Sequence, residues 1–198
     1  MSSSTSRQTE FPIDPQFTAR WSPRAFTGEA IPKDTLLSLF EAARWAPSAS
    51  NLQPWRFIYG QAGTPAFEAI FATLVPFNQD WAKRASALVV VVSQTERLSQ
   101  DGKEVRKLDW HSFDTGCAWG HLALQAQLMG WHVHGMGGFD RVALGAALGV
   151  PAGYKLEAVV AIGKLGDPLV LPEALREREA PSSRQPLAAM VAEGHFSF

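Results

Sequence analysis

The longest hydrophobic stretch suited to a strand covers residues 87–92, Ala-Leu-Val-Val-Val-Val, without a polar interruption. An unbroken apolar run of this length predicts a strand that is buried on both faces of a sheet. A second β-like run covers residues 156–163, and shorter ones cover 55–59 and 132–136. The pattern therefore predicts a small sheet with a fully covered centre.

Two longer segments have the apolar spacing of helices. Residues 34–46 predict a short helix that begins near Asp34. Residues 113–129 predict a long one, with Cys117, Leu122, Leu124 and Leu128 as its apolar positions and small residues that let another helix approach closely. Shorter helices are predicted over residues 65–74 and 140–148. Helices and strands thus alternate, which predicts an α+β domain layered α/β/α.

Three segments lack a core pattern. Residues 1–10 form a polar stretch rich in serine and threonine, which we expect to be a disordered tail ahead of a single domain over residues 11–198. Residues 94–107 are polar and charged and predict a solvated helix or a lid. Residues 166–186 are rich in proline and charge and predict an extended C-terminal arm.

Composition narrows the function classes. The chain has 198 residues with 46% hydrophobic content, enough for one sizeable core. Its 18 basic and 19 acidic residues give a net charge of -1, so no strong field attracts nucleic acid or an anionic membrane. No apolar run is long enough to cross a bilayer, and no signal pattern opens the sequence. We expect a cytoplasmic protein whose partners are small molecules or further copies of itself.

Several kinds of catalytic site lack support. Cys117 is the single cysteine, and no cluster of cysteine and histidine offers the ligands of a metal site. His132 and His134 fall on one face of a predicted strand, but two histidines without a third ligand are more often ordinary half-buried residues. No Gly-x-Ser-x-Gly motif supports a serine hydrolase. A hydrolase and a structural metal site are therefore disfavoured.

One basic motif suits an anion. In the run Arg-Trp-Ser-Pro-Arg, Pro23 favours an extended or turn conformation, in which alternate side chains point to the same side. Arg20, Ser22 and Arg24 would then converge, and two guanidiniums with a hydroxyl suit a phosphate. A solvated basic turn is the alternative on spacing alone.

A loop between two prolines carries side chains that can hydrogen-bond a heterocycle. Residues 45–55 place short donors and acceptors at Ser48, Ser50, Asn51 and Gln53. Such groups are small and directional, as contacts to a ring edge or to ribityl hydroxyls require. An ordinary capped turn has a similar composition and remains an alternative.

A glycine cluster covers residues 135–140, Gly-Met-Gly-Gly-Phe-Asp, between a predicted strand and a predicted helix. Its backbone N–H groups can come close to a ligand because glycine has no side chain. Asp140 stands where the dinucleotide motif Gly-x-Gly-x-x-Gly needs its third glycine, so a Rossmann site is weakly supported. A plain strand-to-helix turn explains the cluster equally well.

Taken together, these segments resemble the FMN-dependent nitroreductase family, in the same order from about residue 17 to residue 191. The resemblance includes the Arg-x-Ser-x-Arg opening, the Ala-Pro-Ser-x-x-Asn-x-Gln-Pro-Trp stretch, Asp-Thr-Gly at 114–116, the glycine-rich turn ending at Asp140 and a late Ser-Arg184. It implies a nitroreductase-like fold with a mixed sheet flanked by helices. It also implies an intertwined homodimer with two FMN sites at the interface, each built by both chains.

Carried over by position, the resemblance implies how one chain holds the cofactor. Arg20 and Arg184 would bind the FMN phosphate, with Ser22 assisting. Arg24 would lie near the pyrimidine edge of the ring, where a fixed cation stabilises the negative charge of reduced flavin.

The resemblance also implies contacts to the flavin ring. The backbone N–H of Gly138, preceded by Gly137, would point at N5, and Asn78 would hydrogen-bond the ring. Some family members carry a glutamate at the position of Gly137 and a lysine at that of Trp81, and both differences are expected to lie near the flavin or its access route. The contacts implied from the partner chain are Pro47, Ser48, Ala49 and Asn51.

The implied reaction is a hydride transfer from NAD(P)H to flavin N5, followed by transfer to a small planar or conjugated acceptor in the same pocket. Nitroaromatics, quinones and enones are acceptors of this kind. The chain supplies position and electrostatics, and no catalytic side chain is required. Two alternatives stay open: an oxygen-using or FMN-cannibalising member of the same fold, as in its benzimidazole-forming branch, and a flavin-storage protein without turnover.

Overall fold

The structure is a computed structural model that describes residues 7–99 and 101–198, so the first six residues of the predicted tail lie outside it. Its centre is a four-stranded sheet. The strand order is β1 (Trp55–Gln61), β2 (Ala87–Gln94), β6 (Tyr154–Gly163) and β5 (His132–Met136). The apolar run of β2 lies on an inner strand and is buried, as the sequence predicts.

The three strand pairings of this sheet are all antiparallel. The expectation of a mixed sheet is therefore wrong for these four strands. The connections explain the difference: α3 (Pro65–Phe71) and α4 (Pro76–Ala82) join β1 to β2, and α6 (Arg141–Leu148) joins β5 to β6. Each connection returns the chain to the end of the sheet that it left, so the next strand runs in the opposite direction.

Helices cover both faces of the sheet, which gives the predicted α/β/α layers. Successive side chains of β2 enter opposite core clusters, with Leu88 and Val90 in one and Val89 in the other. The first cluster also contains side chains of α3, α4 and α6. The second contains side chains of α2 (Lys33–Arg44) and α5 (His111–Leu128). The fold class expected from the sequence is thus confirmed.

The two helices α2 and α5 pack against each other on the second face. The buried positions of α5 include Ala118, Leu122 and Ala126, one helical turn apart. The alanines permit the close approach that the sequence predicts. Leu128, another apolar position of this helix, is exposed. In the described residues, no helix is both long and apolar enough to span a membrane.

None of the described residues between 94 and 107 is helical. The segment instead contains a ribbon of two short antiparallel strands, β3 (Glu96–Leu98) and β4 (Val105–Lys107). Glu96 lies directly opposite Lys107 in the register, and opposite charges at paired positions stabilise a strand pair. The prediction of a solvated helix is therefore wrong, although the segment is polar and largely exposed.

Several short helical segments escape prediction because they span too few residues for a periodic signal. In the described residues, α4 is one of them, with seven residues. The others are α1 (Pro15–Ala19), α7 (Glu173–Arg176) and the 3₁₀ turns Ala49–Asn51, Pro168–Val170 and Leu187–Ala189.

The N-terminal segment and the C-terminal arm both pack on the domain. Arg7 Nη1 donates to the carbonyl oxygens of Thr18 and Arg20, at 3.2 and 2.7 Å. The backbone N–H of Leu187 donates to Glu10 Oε1 at 2.7 Å. Arg7 and Glu10 are thus hydrogen-bonded to the rest of the chain.

Candidate functional site

The extended segment after α1 brings two predicted side chains together. Arg20 Nη1 donates to Ser22 Oγ at 3.3 Å. Both residues line a cavity of about 450 Å³, whose walls include Trp119 and Leu124 of α5 and Gly135 of β5. The basic motif therefore lies beside strand β5, at Gly135, the first residue of the glycine cluster.

Three guanidiniums lie near one another, those of Arg7, Arg20 and Arg184. Arg20 lines this cavity, whereas Arg7 and Arg184 line a second one of about 720 Å³, and Phe17 borders both. Burial, and then the charge of Arg184, lowers the pKa of Arg20. Burial, followed by the charges of Arg184 and Arg20, lowers the pKa of Arg7. No carboxylate within residues 7–99 and 101–198 forms an ion pair with any of them, and the remaining seven residues contain no acid. A cluster of uncompensated cations is a site for an anion.

Arg24 turns toward the C-terminal arm, where the buried carboxylate of Glu179 meets it. The backbone N–H groups of Arg24 and Ala25 donate to Glu179 Oε1 at 2.6 and 2.7 Å. Arg24 Nη1 lies 3.9 Å from Glu179 Oε2. Burial lowers the pKa of Arg24, and Glu179 opposes that shift. Sequence reasoning missed Glu179 because 155 positions separate it from Arg24 and the arm has no motif at that point.

His134 fixes the same segment to β5. Its Nδ1 lies 3.0 Å from the carbonyl oxygen of Pro23, so Nδ1 carries the hydrogen and donates it. Burial, aided by the charge of Arg24, lowers the pKa of His134 to about 4. Its ring centroid lies 4.7 Å from that of Trp81. Trp81 is 1% exposed and belongs to the core.

The glycine-rich turn is fitted closely to α4. The carbonyl oxygen of Gly138 accepts hydrogen bonds from Asn78 Nδ2 at 3.0 Å and from the N–H of Val75 at 3.1 Å. A Cβ added at Gly138 would lie 2.9 Å from Val75 Cγ2 and 3.0 Å from Asn78 Nδ2. A Cβ at Gly137 would meet nothing within 4 Å. Among the described residues the N–H of Gly138 has no acceptor, so it is free to donate to a ligand.

The loop after α2 is a tight turn held by α5. The N–H of Ala49 donates to Asp114 Oδ2 at 3.0 Å, and the N–H of Gln53 donates to Ser48 Oγ at 3.0 Å. Gln53 and two residues of the turn Ala49–Asn51 have φ between 48° and 53°. Such a conformation is strained for residues other than glycine and needs support from its surroundings. Pro47 and Asn51 are exposed at this loop.

Among residues 7–99 and 101–198, this loop makes no hydrogen bond to Arg20, Arg184 or Gly138. It contacts the first turn of α5 through Asp114, whereas the cavity beside Arg20 touches α5 farther along, from Trp119 onward. Within one chain, Arg20 and Ser22 therefore line the same cavity as Gly135, and among the described residues the predicted loop makes no hydrogen bond to the arginines or to Gly138.

Comparisons with known proteins give one consistent result. The model of the Nitroreductase family matches residues 17–62 and 59–164. A crystal structure described as an oxidoreductase containing FMN is 49% identical, covers 100% of this chain and 99% of its own, and superposes with a TM-score of 0.95. An uncharacterised 15.4 kDa protein of Mycolicibacterium smegmatis is 35% identical over 69% of this chain and 91% of its own length. An NADH dehydrogenase of Thermus thermophilus is 27% identical over 87% of this chain and 91% of its own. The chain belongs to the nitroreductase family.

Proposed function

We propose that this chain binds FMN and acts as an NAD(P)H-dependent oxidoreductase on a small planar or conjugated acceptor, such as a nitroaromatic, a quinone or an enone. The observation that carries the proposal is the convergence of Arg20, Ser22 and Arg184, with no carboxylate of the described residues in an ion pair with either arginine. The 49% identical structure described as containing FMN supports the cofactor. The name of the Thermus relative supports a nicotinamide donor.

The arginines that form no ion pair among the described residues, together with the N–H of Gly138, fit FMN. A phosphate would bind to Arg20, Ser22 and Arg184, because a dianion offsets guanidiniums that otherwise repel one another. The N–H of Gly138 would donate to the flavin ring at N5. Bound FMN would supply the redox chemistry, accepting a hydride from one substrate and passing it to the next.

The side chains around the proposed ring control charge and position. Arg24 would place a cation beside the pyrimidine edge, and its nearby partner Glu179 moderates that charge. His134 holds the carbonyl of Pro23 and so sets the direction of the basic segment. Asn78 donates to the carbonyl oxygen of Gly138 and so fixes the turn that carries the N–H of Gly138. These residues bind and orient, and no proton transfer by a side chain is required.

The site is completed in this proposal by a second copy of the chain. Pro47, Ser48, Ala49 and Asn51 would reach the flavin of the partner, since among the described residues of their own chain they make no hydrogen bond to Arg20 or Arg184. The exposed apolar side chains of Phe113 and Leu128, on α5, are 68% and 65% exposed. Apolar surface of this kind is common where two copies associate.

The visible spectrum of the purified protein tests the proposal. We expect flavin bands that bleach with NADH or NADPH under anaerobic conditions and return when a quinone is added. A colourless protein that also fails to take up added FMN would overturn the proposal. Flavin that no acceptor reoxidises would instead indicate a storage protein, and rapid oxygen uptake with loss of flavin would indicate the oxygen-using branch.

A further inference from the structure

We infer that Arg7, from the N-terminal segment, is a third ligand of the FMN phosphate, so that the segments near both ends of the chain close over the cofactor. The inference rests on the proposed function and concerns the same phosphate group. It adds a residue that the pattern Arg-x-Ser-x-Arg does not contain.

Arg7 is held in place by the backbone of the phosphate-binding segment itself. Its Nη1 donates to the carbonyl oxygens of Thr18 and Arg20, the latter at 2.7 Å. These two bonds occupy one end of the guanidinium. Arg7 Nε is buried and has no hydrogen-bond partner among the described residues. A buried donor without an acceptor costs free energy, and an anion in the neighbouring space would satisfy it.

Arg7 also faces Arg184 across open space. Both residues line a cavity of about 720 Å³ between the N-terminal segment and the C-terminal arm. Among the described residues, the guanidinium of Arg184 donates to atoms of Ser182 and Ser183, and neither arginine forms an ion pair with a carboxylate. An anion between the two arginines would therefore offset their repulsion.

The two chain segments that carry these arginines touch each other directly. The N–H of Leu187, which follows Arg184 by three residues, donates to Oε1 of Glu10, which follows Arg7 by three residues. A phosphate that binds both guanidiniums therefore also stabilises this contact. By the same linkage, holding the segments together strengthens phosphate binding.

The test compares FMN with riboflavin, which has the same ring and no phosphate. For R7Q we expect FMN to bind roughly tenfold more weakly, since a charged hydrogen bond is lost, with riboflavin binding unchanged. R7K keeps the charge but not the planar fork and should lie between R7Q and the parent. Dissociation constants come from quenching of flavin fluorescence.

Thermal unfolding distinguishes a phosphate ligand from a residue that only holds the two chain segments together. The loss of the hydrogen bonds from Arg7 to Thr18 and Arg20 lowers the melting temperature of R7Q with and without flavin alike, so the quantity compared is the rise in melting temperature caused by FMN. We expect that rise to be smaller in R7Q than in the parent and the rise caused by riboflavin to be unchanged. An unchanged rise with FMN, or equal losses for FMN and riboflavin, would overturn the role of Arg7.

R20A serves as the reference variant. If R20A weakens FMN binding and R7Q does not, the assignment of Arg7 fails and the proposed function stands. If the parent protein does not bind FMN at all, the proposed function fails and the assignment of Arg7 fails with it.

Discussion

At the scale of single residues, the neutral imidazole of His134 links pH to stability. Its pKa is about 4 in the folded chain because burial disfavours the charged form, against about 6.5 when unfolded. Between these values the unfolded chain binds a proton that the folded chain does not. The contribution of the neutral imidazole to the free energy of unfolding is therefore complete above pH 6.5, declines as the pH falls, and is lost below about pH 4.

This difference corresponds to on the order of 3 kcal/mol in the free energy of unfolding. His134→Gln, which can still donate to Pro23 but does not titrate, should remove that part of the pH dependence. Urea unfolding at pH 7 and at pH 4.5 measures it. His195→Gln, at an exposed position, is the control and should behave like the parent. The prediction would be contradicted if the parent and His134→Gln lost the same free energy of unfolding between pH 7 and pH 4.5.

Glu179 sets the charge beside the proposed flavin. Glu179→Gln keeps an oxygen that can accept from the N–H groups of Arg24 and Ala25, and it removes the charge that offsets the guanidinium. The bound flavin should become easier to reduce, with a midpoint potential higher by roughly 30 mV, or about 1.4 kcal/mol for a two-electron couple. Equilibration with a reference dye measures the potential.

Glu177→Gln, at an exposed position of the same arm, is the matched control and should leave the potential unchanged. A potential in Glu179→Gln that is unchanged or lower would mean that the carboxylate does not act on the flavin through Arg24.

Single residues differ in how far the sequence reveals them. Alternation along an extended segment predicts that Arg20, Ser22 and Arg24 converge. The structure shows the contact between Arg20 and Ser22, while Arg24 is paired with Glu179. Asp140 departs from the dinucleotide motif because it caps α6, accepting from the N–H groups of Val142 and Ala143. Glu179 could not be predicted, because its contact with Arg24 depends on the path of the arm.

At the scale of elements, the turn between β5 and α6 is the most closely fitted part of the candidate site. Gly138→Ala should destabilise the protein by about 1 to 3 kcal/mol, because its Cβ would collide with Val75 and Asn78. Displacement of Asn78 should also weaken FMN binding. Urea unfolding and flavin titration measure the two effects.

Gly137→Ala is the matched control, since a Cβ there meets nothing within 4 Å. It should fold with nearly the stability of the parent. If Gly138→Ala is equally stable, the close fit of the turn against α4 is not a constraint on the fold.

Elements with a strong local signal were predicted well. The buried strand β2 and the helices α2, α5 and α6 have continuous or periodic apolar patterns. The ribbon of β3 and β4 was not predicted, since a polar segment suits a solvated strand as well as a solvated helix. The antiparallel direction of the strands depends on where each connection returns, which local pattern does not specify.

At the scale of the whole molecule, sharing of sites between two chains can be tested with mixed dimers. A chain with Asn51→Ala combined with a chain with Arg184→Glu should regain one intact site of two, because the first supplies Arg184 and the second supplies Asn51. Each variant alone should hold FMN poorly. Flavin content per assembled dimer measures the recovery.

Assembly is checked separately by the molar mass of the mixed species. A properly assembled mixed dimer that recovers no flavin would count against the shared site. From the sequence, a site shared by two chains is predicted only through resemblance to the family. Residues that meet across two chains have no characteristic spacing within one chain.

The strand order has a consequence for how the chain is made. β2 pairs with β6 at the centre of the sheet, yet a ribosome completes β6 long after β2 has emerged. Until then the apolar run of β2 lacks one of its two neighbours, and an unpaired apolar strand is prone to join other nascent chains. Pairing between such distant segments is also slow. Conditions that slow aggregation during synthesis, such as growth at low temperature, should therefore raise the yield of folded protein.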